Sequence, residues 1–198
     1  MRVPPLRMPR REVRGELDRL RHPLRVAIDR AKNPFNIGAI IRTAHSFLVR
    51  EIILVGTEPW YERAAMGMQR YENIRELATE AELLGLAREA GWKLVAFERE
   101  PSTVGLWDAE LPDDSLFVFG NEDDGISPAI LAAAHEVVAI PMYGINHSYP
   151  VAVAAGMAMA EWARRRYAGG RLVVPSPASA EPEPPPDGSG EGSGPLTA

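Results

Sequence analysis

Short apolar runs, each released into a helical pattern and closed by glycine or proline, constrain this chain more than any other feature. Five of them read as strands: 25–29 (RVAID), 51–55 (EIILV), 92–97 (WKLVAF), 116–119 (LFVF) and 137–140 (VVAI). LFVF is apolar throughout, as befits a central strand covered on both faces. Between the runs lie helical signals. Residues 11–21 suit a short helix. Asn36 is placed to cap a second, in which Ile37, Ile40, Ile41, Ala44 and Phe47 recur at helical spacing. Thr79 with Glu82 makes a capping box, opening a helix that Gly91 ends. Ser127-Pro128 opens another, toward residue 135. The last runs from about Ser148 to Tyr167 and is rich in alanine. Strands alternating with helices predict an α/β fold: a mostly parallel sheet with helices on both faces. Residues 57–76 (TEPWYERAAMGMQRYENIRE) read as a loop with a short helix.

With 198 residues, 45% of them hydrophobic, the chain can build one domain with a full core. We divide it into a basic arm or helix over 1–23, a folded domain over 24–168, and a Pro/Gly/Glu-rich tail over 171–198. The tail is too poor in apolar residues to order itself. The net charge of −5 conceals an asymmetry, because residues 1–25 carry eight Arg against three acids. That arm is either a phosphate-contacting extension or a solvated leader. The absence of cysteine excludes disulfides and thiolate zinc sites, and suits a cytoplasmic location. There is neither an apolar run long enough to span a membrane nor a secretory h-region.

The common nucleotide and hydrolase motifs fail. No G-x-G-x-x-G follows the first strand, no Walker A sequence is present, and there is no G-x-S-x-G elbow. The four histidines show no metal-ligand spacing, so no metal site is expected. Three other segments stand out. The first is Asn33-x-x-Asn36-x-Gly38-Ala39-Ile40-x-Arg42-Thr43-Ala44. The second is Phe119-Gly120-Asn121-Glu122-x-x-Gly125-Ile126-Ser127. The third is Ile140-Pro141-Met142-x-Gly144, followed by Ser148-x-x-Val151 and an alanine-rich helix.

In this order the three segments resemble the motifs of the SpoU family of RNA 2′-O-ribose methyltransferases, within the SPOUT superfamily, over about residues 24–167. The chain looks like the minimal members, which lack an extra RNA-binding domain. The resemblance implies a C-terminal trefoil knot that forms an S-adenosylmethionine pocket. It also implies a homodimer packed through the terminal helices, and an RNA substrate, with tRNA slightly favoured over rRNA. Segment 57–76 then reads as core and rim residues or as part of an RNA-facing surface.

Catalytic roles carry over to Arg42, Asn33, Glu122 and Ser148. Cofactor contacts carry over to Phe119, Gly120, Asn121, Ile140, Met142, Gly144, Ser148 and Tyr149. Arg42 is expected to bind the target phosphate and stabilise the developing alkoxide, since arginine is ill-suited to act as a base. Asn33 is expected to position it, Glu122 to orient Arg42 or the neighbouring loop, and Gly144 to permit a sharp turn. The chemistry needs no metal, because a cationic sulfonium becomes neutral as the hydroxyl attacks. One departure is clear. Where the family reads Ser-Leu-Asn-Val-Ser, this chain has Ser148-Tyr149-Pro150-Val151-Ala152. An alternative is therefore a catalytically impaired, knotted RNA-binding protein.

Overall fold

A computed structural model describes residues 9–56 and 59–167. Helix α1 (Arg10–Leu20) precedes β1 (Arg25–Asp29), α2 (Pro34–Ser46) and β2 (Glu51–Val55). Two 3-10 turns, Glu62–Ala65 and Met68–Arg70, lead to β3 (Ile74–Leu77) and α3 (Glu80–Glu89). There follow β4 (Lys93–Phe97), the short β5 (Val104–Gly105), β6 (Ser115–Phe119), α4 (Pro128–Ala133), β7 (Glu136–Ala139) and α5 (Val151–Tyr167).

The strands form one seven-stranded sheet, ordered β3-β2-β1-β6-β4-β7-β5, and every neighbouring pair is parallel. The apolar LFVF run lies in β6, the middle strand, which is buried along its whole length. Successive side chains point to opposite faces. Val26, Ile28, Phe117 and Phe119 accordingly join one core cluster with Ile37, Ile40 and Ile41 of α2 and Ala155, Ala158 and Trp162 of α5. Ala27, Leu116 and Val118 join the other with Leu83 of α3 and Ile130 of α4. Burying an isoleucine or leucine completely is worth about 1.5–3 kcal/mol, so these two layers hold the helices to both faces. Ala155 and Ala158 of α5 pack inside this chain, against the α2 side of the core, and let the two helices approach closely.

The structure differs from the sequence expectations at several points. Two edge strands were not anticipated. β3 is half exposed and carries Arg75 and Glu76, so it lacks an apolar run, and β5 has only two residues. Asn33, not Asn36, caps α2: its side-chain oxygen accepts the Phe35 N–H at 3.0 Å, and Pro34 takes the first helical position. Ser127 precedes α4, but its hydroxyl donates to buried Asp29 Oδ2 at 2.6 Å instead of capping the helix. α5 begins at Val151, three residues later than expected at Ser148. A residue before proline is disfavoured in the helical region, so Tyr149 cannot continue a helix into Pro150. The Pro150 carbonyl becomes the first acceptor, taking the N–H groups of Val153 at 2.9 Å and Ala154 at 3.0 Å. The 171–198 tail and the first eight residues of the arm lie outside the described residues. Among the described residues no helix is long and apolar enough to cross a membrane.

Candidate active site

In a parallel sheet, ligands bind beyond the carboxyl ends of the strands, where strand order reverses. From β1 this sheet grows outward in both directions, through β2 to β3 and through β6 to β4, β7 and β5. A cleft of about 400 Å³ opens beyond the ends of β4, β6 and β7. It is walled by the loop after β4, the 120–126 loop after β6, and the segment from Ile140 to Val151. Phe119, Gly120, Asn121, Glu122, Ile140, Met142, Ser148 and Tyr149 all line it.

The 120–126 loop folds back on itself tightly. Asn121 and Gly125 exchange backbone hydrogen bonds of 3.4 and 3.1 Å. A Cβ on Gly120 would sit well under 3.0 Å from the Gly125 backbone, so no other residue fits there. Gly125 itself has φ +64, the left-handed region that glycine occupies freely. Asn121 is 6% exposed, and its Oδ1 accepts the N–H groups of Asp123 at 3.0 Å and Asp124 at 2.9 Å. These two bonds identify the other side-chain atom as the NH2 group. That buried Nδ2 has no hydrogen-bond partner, an uncompensated donor at the wall of the cleft.

Side chains tie this loop to the start of α2. Asn36 donates a hydrogen bond to Glu122 Oε1. Lys32 pairs with Asp123 at 3.1 Å and with Asp124 at 2.8 Å. The hydrogen bond with Asp124, then that with Asp123, raises the Lys32 pKa, and the same contact with Lys32 lowers that of Asp124. Glu122 is thus joined to the start of α2, and among the described residues no hydrogen bond or ion pair links it to Arg42. Arg42 is exposed on α2, is not part of the cleft wall, and has no ion-pair partner among the described residues. Asn33 also lies outside the wall, where it caps α2.

One residue that braces the site was passed over in the sequence. Glu98, just after β4, lines the cleft and accepts the Ile126 N–H at 3.1 Å, bracing the 120–126 loop. No sequence signal marks it, since it lies in none of the three segments. Gly38, already singled out in the first segment, has a packing reason: a Cβ there would meet the Ala64 Cβ at 2.5 Å, so the 3-10 turn lies flat on α2. Tyr149 gains a definite contact, its hydroxyl donating to the Pro141 carbonyl at 3.1 Å and joining the ends of the 141–149 loop. Arg99 donates to the His147 carbonyl at 3.3 Å and ties that loop to β4. Gly144 departs from expectation. It is exposed, lies outside the cleft wall, has no left-handed φ, and has open space where a Cβ would stand. The turn there does not require glycine. Among the described residues no cluster of His, Cys, Asp or Glu could hold a metal ion.

A parallel α/β sheet with a strand-end cleft walled by two folded-back loops defines a nucleotide- or cofactor-binding class of protein. The SpoU rRNA Methylase family matches residues 23–160, and this chain belongs to that family. Among its relatives is a tRNA (guanosine(18)-2′-O)-methyltransferase of Aquifex aeolicus. It is 28% identical over 170 residues, 84% of this chain and 81% of that protein. A 23S rRNA (guanosine-2′-O-)-methyltransferase of Neisseria meningitidis is 29% identical over 73% of this chain, which spans only 59% of that relative. The A. aeolicus TrmH/SpoU tRNA modifying enzyme superposes with a TM-score of 0.72 at 26% identity, covering 81% of this chain and 86% of that one. The SpoU methyltransferase AviRb of Streptomyces viridochromogenes, solved in complex with AdoMet, gives 0.67 at 27% identity, over 75% of this chain and 63% of AviRb.

Proposed function

We propose that this chain methylates a ribose 2′-hydroxyl in RNA, with S-adenosylmethionine as methyl donor. The observation that carries this is the convergence of family segments at one place: Asn36 bonds Glu122, and Phe119 to Glu122 share a cleft with Ile140, Met142 and Ser148. The cleft suits the cofactor. Its volume of about 400 Å³ falls in the range of small-molecule sites. Glu98, Glu122, Asp123 and Asp124 line it, a negative setting for a sulfonium cation. The unpartnered Asn121 Nδ2 is a ready donor to an acceptor on the bound molecule.

When bound, S-adenosylmethionine supplies an electrophilic methyl group. The backbone around Phe119, Gly120, Ile140 and Met142 would hold the cofactor's adenine, and Tyr149, bonded to the Pro141 carbonyl, would keep the 141–149 loop closed at the site. Ser148 lies beside the reacting groups. Arg42 binds the target phosphate and stabilises the alkoxide character that grows on the 2′-oxygen as its proton passes to solvent. Asn33 fixes the start of the helix that carries Arg42, and Glu122 acts through Asn36. The C-terminal segment threads the loops around the cleft as a trefoil knot, within a domain spanning 24–168. Two copies pair through the terminal helices, and Trp107, 53% exposed beside Met157 and Ala160 of α5, is the apolar surface such pairing would cover. Of the two RNA classes, tRNA is favoured, because the tRNA-modifying relative is matched over 81% of its length and the rRNA relative over 59%. A cytoplasmic location follows from such a substrate.

The test is to map 2′-O-methyl sites in RNA from cells with and without this protein, and to assay Arg42→Ala in vitro. We expect that variant to lose methyl transfer while its cofactor affinity, read by calorimetry, stays within about twofold; undiminished transfer would remove Arg42 from the mechanism. Pro150 and Ala152 favour a second reading, an RNA-binding protein with impaired catalysis, since neither side chain offers the hydrogen bonds of the family's Asn and Ser. Firm cofactor binding with no transfer to any RNA would select it.

A further inference from the structure

Two aromatic rings stand exposed at the start of α2. Phe35 is 58% and Tyr61 41% exposed, and their ring centroids lie 4.9 Å apart at an interplanar angle of 50°. Large apolar rings left in water mark contact surfaces when they cluster. Both rings are mounted on fixed backbone. The Phe35 N–H is held by the Asn33 side chain at 3.0 Å, and the Tyr61 N–H by the Pro34 carbonyl at 3.2 Å. Gly38 allows the turn after Tyr61 to rest directly on the helix. That turn ends at Met66, which has φ 51 and is 65% exposed.

The position relative to Arg42 gives the surface meaning. Phe35 and Arg42 are seven residues apart, so they fall on one stripe of α2, about 10 Å apart along its axis. Arg63, on the turn that follows Tyr61, is also exposed. Neither Arg42 nor Arg63 has an ion-pair partner among the described residues. Uncovered rings beside uncompensated guanidinium groups complement a polyanion that carries flat π-faces. Unpaired RNA is such a ligand; its splayed bases stack on aromatic side chains while arginines take the phosphates.

We infer that Phe35 and Tyr61 form a stacking platform for a base next to the target nucleotide in an unpaired stretch of RNA, with Arg63 on an adjoining phosphate. This rests on the RNA methyltransferase reading of the same site and adds to it the class of RNA recognised. A duplex presents no free base to these rings. The expected substrate is therefore a loop, bulge or single-stranded end.

The probe is a short single-stranded oligoribonucleotide carrying 2-aminopurine, whose fluorescence is quenched on stacking, with the same sequence as a duplex for comparison. The full-length protein should quench the single strand and bind the duplex more weakly. Phe35→Ala and Tyr61→Ala should each weaken single-strand binding about 5- to 100-fold and abolish quenching. Both should raise KM for RNA, with melting temperature and cofactor affinity unchanged. Phe35→Trp should restore quenching, which a merely structural role for Phe35 would not predict. Absence of quenching by the wild type, or alanine variants that bind like it, would overturn the platform. So would loss of self-association in those variants, which would make the rings a protein contact. Transfer to total RNA from cells lacking the protein separates the two ideas. Transfer that persists in Phe35→Ala with unaltered KM sinks the platform alone. Quenching without any transfer by the wild type sinks the methyltransferase reading and leaves the platform standing.

Discussion

Glu72 anchors a buried charge cluster whose loss should measurably weaken the fold. Its side chain is fully buried, 2.6 Å from Arg21 Nη1, and the Arg21 side chain is itself only 1% exposed. The other Glu72 oxygen lies 2.7 Å from His45 Nδ1. Arg21 also bonds Asp18 at 2.7 Å and the carbonyls of Val49 and Tyr71. The cluster fastens the end of α1 to the loops on either side of β2. Truncation in Glu72→Ala removes the one buried counter-charge and leaves a guanidinium inside the protein. Losing one partner of a buried pair costs about 3–5 kcal/mol. Asp18 and the two carbonyls remain, which places the variant near the lower end, about 3 kcal/mol. For a chain of this size that corresponds to a fall in Tm of about 6–12 °C. Urea unfolding followed by circular dichroism measures it directly. The paired replacement Arg21→Met with Glu72→Leu removes both charges at similar volume, and should recover most of the loss. A single variant within about 1 kcal/mol of wild type, or a paired variant no better than the single one, would refute the reasoning.

Two further outcomes follow from particular contacts. Gly120→Ala forces a Cβ into the Gly125 backbone, so the 120–126 loop must move at a cost of about 1–3 kcal/mol; calorimetry should show lost cofactor binding in a protein that still folds, and unaltered affinity would show the loop to be pliant. Glu161, 6% exposed at the side chain, accepts hydrogen bonds from Arg164 and then Arg165, which hold its pKa down to about 2 from an ordinary 4.5. A depressed carboxyl stabilises the fold fully above its unfolded value, so this contribution should drain away as pH falls from about 4.5 toward 2. Melting curves of Glu161→Gln should lack that part of the acid slope; an identical slope in both proteins would overturn the assignment.

Much of the fold is legible in the chain. RVAID and EIILV became β1 and β2 at the predicted residues, and LFVF became the middle strand. Thr79 caps α3 through the Glu82 N–H at 3.4 Å, as its capping box implied. Such signals are local, arising from side-chain periodicity and from hydrogen bonds to the nearest backbone. The three family segments were equally visible; the second and third meet at one cleft, and the first reaches it only through the Asn36–Glu122 hydrogen bond. The edge strands escaped because β3 is polar and β5 is a fragment that pairs with β7 alone.

What the tertiary structure decided is which distant residues touch. Asn36 looked like a cap and became the partner of Glu122, 86 residues away. Gly38 is required by Ala64, 26 residues away, and Gly120 by the Gly125 backbone across the folded-back loop. Tyr149 reaches back to Pro141 only because the loop between them closes. Strand order and loop closure come from the packing of both faces of the sheet at once, a property no window of sequence contains. Taken alone, the sequence determined five of the seven strands, the helices and the family. The folded chain determined that a buried amide lacks a partner at the cleft wall and that two rings stand bare beside Arg42's stripe of α2. Both depend on burial and approach, which exist only once the sheet is assembled.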